Sequence, residues 1–580
     1  MRLLLAPLLN LFKLLWTVLF LPLRAIGAGK GPRWVRFRLS GDLPFRRAPA
    51  RDFRFWRKTD PAAVHSIESL RRQLRRLASD EKLRGVIFEV DGLSVSPARR
   101  DALVRLFDVL RRAGKEVVGY GGSVSNAEYE LLCRTDRIIL PAAGRVDLVG
   151  FSAELSAIGG ALEQFGVKAH FIRRGDYKTA PELFTRSDIS EIQRRTIEGL
   201  LDERYEALVS AISAGRKLSP EEVRQRIDEG PYSAKRALAA GLVDVLGSEA
   251  DLPKLLARPD DPPRPGTDED KPEVRVGTFG AWAASRLWPE IAWRRVKRRP
   301  AVGVVSINGM IAEGKGGTMP AGPVVAGQVS VVSALEAAAK NPMVPAVVLY
   351  VNSPGGSAPA SEMILDAVKR LSVKKPVVAY FDRVAASGGY MALCGAQEIW
   401  GGPGALVGSI GVFAGKFDLS GLFERFGIHR TLITRGRNAG FTSPSRGFTD
   451  DERASMEREI EETYQSFLEI VAGARGRTKE EIHLRGEGRV FSSERGAEEG
   501  LIDRVGSFED ALRRALELAA ERSAATGKKA VTVPPPEGDI DVALFGAKPP
   551  RSGLMGLLRR LQGTHLFALD DALFGIVARW

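Results

Sequence analysis

Asp382-Arg383-Val384-Ala385-Ala386-Ser387-Gly388-Gly389-Tyr390 is the stretch on which the reading of this chain turns. It follows the apolar run Pro376–Tyr380, which reads as a short buried strand, and leads into Tyr390–Cys394 at helical spacing. Strand, tight turn and helix therefore meet at a serine hydroxyl. A serine there sits where unpaired backbone N–H groups point outward, and Gly388 and Gly389 let another backbone approach closely. Taken alone, the nonapeptide reads equally as a small-residue turn in which the serine merely caps a helix.

The neighbouring segments favour chemistry. A second apolar strand, Ala346–Val351, ends in Asn352-Ser353-Pro354-Gly355-Gly356-Ser357, and two glycines after a strand end can aim N–H groups into a cleft as an oxyanion hole requires. Further on, Leu406-Val407-Gly408-Ser409-Ile410-Gly411 offers another serine. The segments NSPGGS, ASGGY and VGSIGVF, in that order and spacing, resemble the signal peptide peptidase A family in its long form with two tandem repeats. The resemblance implies a serine endopeptidase in which the ASGGY serine, here Ser387, is the nucleophile and a lysine is the general base. It also implies an α/β fold of two tandem ClpP/crotonase-like domains; an N-terminal membrane helix ahead of them is expected from the apolar run of residues 3–23.

Length and composition bound the reading. At 580 residues the chain is long enough for two or three domains, and 44% hydrophobic with 27% charged residues is globular. The net charge of +14 suits nucleic acid or an anionic membrane surface. No alternating basic–aromatic tract and no zinc-ligand cluster is present, so nucleic acid is not expected as a partner. There is no H-E-x-x-H and no Walker A sequence; neither metal nor other cofactor is expected, and substrates must arrive short or unfolded. A Ser/His/Asp mechanism is the rival, but the chain has no G-x-S-x-G elbow, and of its five histidines (His65, His170, His429, His483, His565) the two that precede the R-G sites, His170 and His429, do not stand at equivalent positions.

Residues 3–23 are nearly all apolar and long enough to span a bilayer. Lys13 at the centre costs about 2.5–3.5 kcal/mol on insertion scales, which about ten Leu, Val or Phe residues at about −0.3 to −0.6 kcal/mol each outweigh. An uncleaved anchor over 1–29 is expected; the small-residue stretch Ala25–Ala28 keeps a cleaved signal peptide open, and an in-plane helix is the other alternative. Arg24, Lys30, Arg33, Arg36 and Arg38 follow the run and by charge alone favour a cytoplasmic body. The resemblance implies the reverse, a periplasmic body on the bacterial inner membrane, in contact with its lipid.

The body contains a duplication. Phe165-Gly166 recurs as Phe426-Gly427 and Arg174-Gly175 as Arg435-Gly436, both at an interval of 261 residues; Val117–Tyr120 recurs as Val377–Tyr380 and Gly241–Asp244 as Gly500–Asp503. Each copy reads strand, helix, strand, helix, strand-turn-helix, a pattern that calls for parallel sheet covered by helices. The expected division is an anchor at 1–29, a first repeat at 34–255, a linker insertion at 256–300, a second repeat at 301–522 and a tail at 523–580. Cys133 and Cys394 stand at the same interval and read as buried small hydrophobes, not as a disulfide.

Comparing the copies locates the chemistry. Where Gly355 and Gly356 stand, copy one has Val90–Val95 without a glycine pair, and where Ser387 stands it has Asn126 or Ala127. Copy one does contain Gly175-Asp176-Tyr177-Lys178-Thr179-Ala180. The family's base lysine lies in such a segment, so the resemblance implies that Lys178 is the base. Copy two has Arg437-Asn438-Ala439 at that place and no lysine from 417 to 478. One copy thus keeps the hydroxyl and the other the amine. A free lysine has a pKa of about 10.4, and making it neutral near pH 7 demands about 4–5 kcal/mol against its charged form, which burial away from carboxylates supplies. The resemblance implies that Ser409 orients the amine; the N–H of Gly388, with that of Gly355 or Gly356, would bind the oxyanion.

Between the copies, Arg258–Pro265 reads as an exposed linker, and Trp282, Trp288 and Trp293 beside Arg294–Arg299 read either as an interfacial helix or as a connector packed on the body. The tail, broken by Pro534–Pro536, receives no role. The resulting expectation is a membrane-bound Ser/Lys peptidase that degrades apolar signal peptides, assembled, as the resemblance implies, as a homotetramer. The alternatives are a general quality-control peptidase, a crotonase-fold acyl-CoA enzyme, and a scaffold without catalysis.

Overall fold

The structure is a computed structural model of the whole chain and describes residues 2–22, 31–46, 62–259, 261, 272–286, 300–318, 324–527, 530–535, 538 and 540–546. The chain divides into two compact units, one formed by 1–151 with 204–299 and the other by 152–203 with 300–580. The units and the sequence copies do not coincide: the stretch 152–203, coded in the first copy, packs within the second unit.

In the first unit a six-stranded parallel sheet runs in the order Val276–Thr278, Trp34–Gly41, Gly85–Leu93, Glu116–Gly121, Arg137–Leu140, Val245–Leu246. Parallel strands are covered on both faces, so they read as unbroken apolar runs. Val86 to Val90 are all buried accordingly. The covering helices begin at side-chain caps: Ser66 for Ile67–Ala78 and Ser96 for Pro97–Arg112, each hydroxyl accepting a backbone N–H of the first turn.

The second unit is built the same way. Its main sheet runs Val490–Ser492, Leu406–Gly408, Val377–Ala386, Val347–Ser353, Val302–Asn308, Val542–Phe545. The central strand Val377–Ala386 is long enough to pair twice on one side, through Val378–Phe381 with Glu398–Gly401 and through Val384–Ala386 with Leu406–Gly408. Helices Gln328–Lys340, Ala358–Lys374, Asp450–Arg475 and Phe508–Ala525 pack on this unit.

The duplication extends to single contacts. The Tyr129 hydroxyl donates to Leu242 O at 2.8 Å, and Tyr390 to Leu501 O at 2.7 Å. Arg216 pairs with Asp244, which accepts from Ile138 N, and Arg475 pairs with Asp503, which accepts from Ile399 N. Cys133 and Cys394 are buried free thiols, each pushed up to about 12 by loss of solvent. Each copy's first strand also gains an edge strand from the segment that follows that copy: Val276–Thr278 beside Trp34, and Val542–Phe545 beside Val302. The linker and the tail therefore complete the two sheets. Trp282 is buried and its indole N–H donates to Asp80 at 2.6 Å, the packed-connector arrangement; Trp288, Trp293 and Arg294–Arg299 lie outside the described residues.

The expected membrane anchor requires correction. Residues Arg2–Leu19 do form a helix, but among the described residues no helix is long and apolar enough to cross a membrane. Its 18 residues reach about 27 Å, short of a hydrocarbon core of about 30 Å, and Pro7, Asn10 and Lys13 interrupt the apolar run. A single-pass transmembrane helix over 1–29 is thus unsupported; residues 23–30, with Ala25–Ala28, lie outside the described residues.

Candidate active site

Everything in this site belongs to the second unit. The strand Val377–Ala386 ends at Ser387, whose backbone is forced to φ 53° and ψ −124°, a conformation that costs an L-residue about 1–3 kcal/mol. The surrounding hydrogen bonds hold it there: Ser387 N donates to Gly408 O at 2.9 Å, and Met391 N donates to Ser387 O at 2.9 Å. Its side chain makes no capping bond to the helix Gly388–Leu393. The bland alternative of a capping serine is therefore not what the geometry displays.

The glycines around it are there for space. A Cβ on Gly355 (φ 105°) would stand 2.7 Å from Ser387 Cβ and 2.9 Å from Gly388 N. A Cβ on Gly356 (φ 147°) would stand 2.0 Å from Ile311 O, and one on Gly388 would meet Ser361 Oγ at 2.2 Å and Gly356 N at 3.6 Å. Three backbones converge at one point beside the serine. The N–H of Gly355 is already taken by Ser353 Oγ at 3.1 Å. Among the described residues no acceptor takes the N–H of Gly356 or Gly388, so both are open to an oxygen placed beside the serine.

Lys178 arrives on a separate segment. The strand Lys168–Arg174 runs antiparallel to Val412–Asp418, with Arg174 opposite Val412, and carries the turn after it to the serine strand's end. Lys178 is only 5% exposed, and its Nζ donates to both Ser409 Oγ and Ser409 O, each at 2.9 Å. Burial alone lowers its pKa to about 7. Ser409 follows Gly408, which pairs with Ala386, so the strand register sets the lysine's partner beside the serine. Leu200, Val384, Ala386 and Leu406 form an apolar cluster along the same strands.

One holding element gave no sequence signal. The loop 486–489 clamps both segments: Glu487 O accepts from Tyr177 N at 2.8 Å, Gly488 N donates to Ile410 O at 2.8 Å, and Arg489 O accepts from Ser409 N at 2.6 Å. The Arg489 guanidinium lies over the Tyr177 ring at 4.0 Å. Ser361, beside Gly388, also lacked a motif, and Ser353, although it lies within NSPGGS, received no role from the sequence.

The rival histidines sit elsewhere. In the second unit His170 lies 3.9 Å from Asp418, His483 Nδ1 is 2.8 Å from Tyr464 Oη, and His429 is exposed; His65 is exposed in the first unit, and His565 lies outside the described residues. In the first unit, the counterpart of Ser387 is closed: Asn126 Nδ2 donates to Gly150 O and Asn126 Oδ1 accepts from Val149 N, while Ser125 and Glu128 cap each other. A cavity of about 580 Å³ at that place is lined by Glu89, Asp91, Glu128, Asp147 and Glu249, with no lysine.

A strained serine stands beside the glycine turn, and a buried amine is held by Ser409, the residue after the one whose carbonyl accepts from Ser387 N. Comparison with known proteins gives the class: the profile of Peptidase family S49 matches residues 109–260 and again 369–522, together more than half of the chain. The chain belongs to peptidase family S49, in its tandem-repeat form. It is 29% identical over 481 residues to "Protease 4" of Salmonella typhi, covering 80% of this chain and 74% of that protein. It is 27% identical over 470 residues to "Serine protease SPPA, chloroplastic" of Arabidopsis thaliana, covering 81% and 67%. The solved structure of a ClpP1 mutant from Listeria monocytogenes aligns at 15% identity over 36% of this chain and 94% of its own, with a TM-score of 0.23, too low to bear on the site.

Proposed function

We propose that this peptidase works by a Ser/Lys dyad in which Ser387 is the nucleophile and Lys178 the general base. Neutral Lys178 Nζ takes the proton of Ser387 Oγ as that oxygen attacks the scissile carbonyl carbon. The carbonyl oxygen, now negative, is held by the N–H groups of Gly388 and Gly356, with Gly355 shaping the hole. Collapse of the tetrahedral species breaks the C–N bond, and the lysine ammonium gives its proton to the leaving amine. Water, deprotonated by the same amine, then releases the acyl group. Ser409 orients the amine.

The observation that carries this reading is the buried Lys178 amine, lowered to about 7 by burial and hydrogen-bonded to Ser409, the residue after Gly408, whose carbonyl accepts from Ser387 N. The first repeat, 34–255, would supply the base and the second, 301–522, the nucleophile. Substrates are apolar peptides, of which cleaved signal peptides are the expected class. The helix Arg2–Leu19 leaves Leu8, Leu11, Phe12, Leu15 and Trp16 exposed, which supports seating on a membrane surface; that this is the bacterial inner membrane, with the body on its periplasmic side, rests on the family resemblance. The functional form is a homo-oligomer, with the tetramer expected.

The test is cleavage of a quenched-fluorescent apolar peptide by the purified full chain and its Ser387→Ala and Lys178→Ala variants. Both substitutions should abolish hydrolysis, and wild-type rates in either would reject the dyad.

A further inference from the structure

Glu487, Gly488 and Arg489 hold both ends of the hydrogen bond between Lys178 and Ser409. On the lysine's side Glu487 O accepts from Tyr177 N, and Gly488 runs so close that a Cβ there would stand 2.8 Å from Lys178 Cα. On the serine's side Arg489 O accepts from Ser409 N. Among the described residues four other than glycine have positive φ, and three of them belong to this arrangement: Ser387 at 53°, Ser409 at 52° and Glu487 at 49°. Such backbone is unfavourable for an L-residue and persists only where its surroundings impose it.

Two side chains close the loop on the lysine's segment. The Arg489 guanidinium lies 4.0 Å from the centre of the Tyr177 ring, a cation over an aromatic face. The guanidinium is itself fixed: Nη1 donates to Leu484 O at 2.6 Å, and Nη2 pairs with the Glu487 carboxylate at 3.0 Å. The residue before Lys178 is thus gripped through its ring as well as through its N–H.

The repeat links these side chains to the amine. By the interval of 259 residues that separates Gly241 from Gly500, Glu487-Gly488-Arg489 answers to Asp228-Glu229-Gly230 in copy one. By the interval of 261 residues, Tyr177-Lys178 answers to Asn438-Ala439 in copy two. The arginine, the aromatic ring and the lysine therefore stand together in one instance, and all three are missing from the other.

We propose that Arg489 and Tyr177 are positioning residues of this peptidase: their contact sets the Lys178 amine in place beside Ser409, and through it the rate at which Ser387 loses its proton. This rests on the dyad reading above and adds to it two residues that act through the base.

The test is hydrolysis of the quenched-fluorescent apolar peptide by the full chain, with rates expressed per site titrated to completion by a serine-directed phosphonate. Arg489→Ala and Tyr177→Leu should each lower kcat about ten- to a hundredfold with KM little changed. Arg489→Lys and Tyr177→Phe keep a cation and a ring face, and should recover most of that loss. Because both substitutions remove one contact, the Arg489→Ala/Tyr177→Leu double variant should lose no more than the weaker of the two single variants. If Arg489→Ala does not fold, as circular dichroism would register, Tyr177→Leu against Tyr177→Phe makes the same comparison. Ser387→Ala and Lys178→Ala run alongside; wild-type rates in either would reject the dyad and this inference with it. With both inactive, a wild-type kcat per titrated site in Arg489→Ala, or losses that multiply in the double variant, would overturn the positioning role and leave the dyad. A fall in the number of titrated sites with the rate per site intact would mean a purely structural contact, and would overturn it equally.

Discussion

Lys178 Nζ and Ser409 Oγ are hydrogen-bonded at 2.9 Å, although 231 residues separate them. The amine has no carboxylate within salt-bridge distance among the described residues, and burial is the sole cause of its lowered pKa, to about 7. Activity should therefore rise through about pH 7 as the amine loses its proton, and kcat/KM against pH should show an acid limb there. An acid limb near pH 4, as from a carboxylate, would contradict the assignment.

The same burial has a stability consequence. Between pH 7 and 10.5 the unfolded chain holds a proton on Lys178 that the folded chain has released, so stability rises with pH across that window; below pH 7 the full cost of the buried charge is carried. Lys178→Met should remove this cost. We expect hydrolysis to be lost while thermal stability at pH 6 increases by about 1–3 kcal/mol, measured by calorimetry.

Ser409→Ala removes one of the two acceptors for the amine and leaves the Ser409 carbonyl. We expect a fall in kcat of roughly ten- to a hundredfold with KM little changed, and a displaced acid limb. An unaltered pH profile would mean that the carbonyl alone orients the lysine.

Gly355→Ala places a methyl group 2.7 Å from Ser387 Cβ at a backbone φ of 105°. The serine must shift or the loop must open. Activity should drop by about a hundredfold or more, and a transition-state aldehyde should lose affinity in parallel, since the oxyanion site is deformed with it.

In the first unit Asn126→Ser restores a hydroxyl at the counterpart of Ser387 but brings no amine. Titration with a serine-directed phosphonate should still give one labelled site per chain, and the loss of the Gly150 and Val149 bonds should cost about 1–2 kcal/mol of stability. Two labelled sites would mean that the first unit needs no lysine.

The candidate site was legible because its residues lie in short motifs whose residue types have few other uses: ASGGY, the glycine pair at 355–356, and a lysine in one copy facing its absence in the other. The parallel sheets were legible in apolar runs such as Val347–Val351. The edge strands Val276–Thr278 and Val542–Phe545 were not, because three or four residues at a sheet margin carry no periodicity of their own and take their conformation from the strand they join. The clamp at 486–489 acts through backbone carbonyls, which leave no trace in side-chain pattern. The Arg2–Leu19 helix was legible as a helix, but its reach was overstated by counting apolar residues past its end.

An amine whose pKa burial lowers to about 7 is also a target for electrophiles. Cyanate in aged urea, acid anhydrides and aldehydes attack unprotonated amines, so Lys178 should acylate at neutral pH while most surface ammonium groups are still protected by their protons. Wherever substrate can reach Lys178, such reagents can follow, and if Lys178 is the base, carbamylation there would stop hydrolysis.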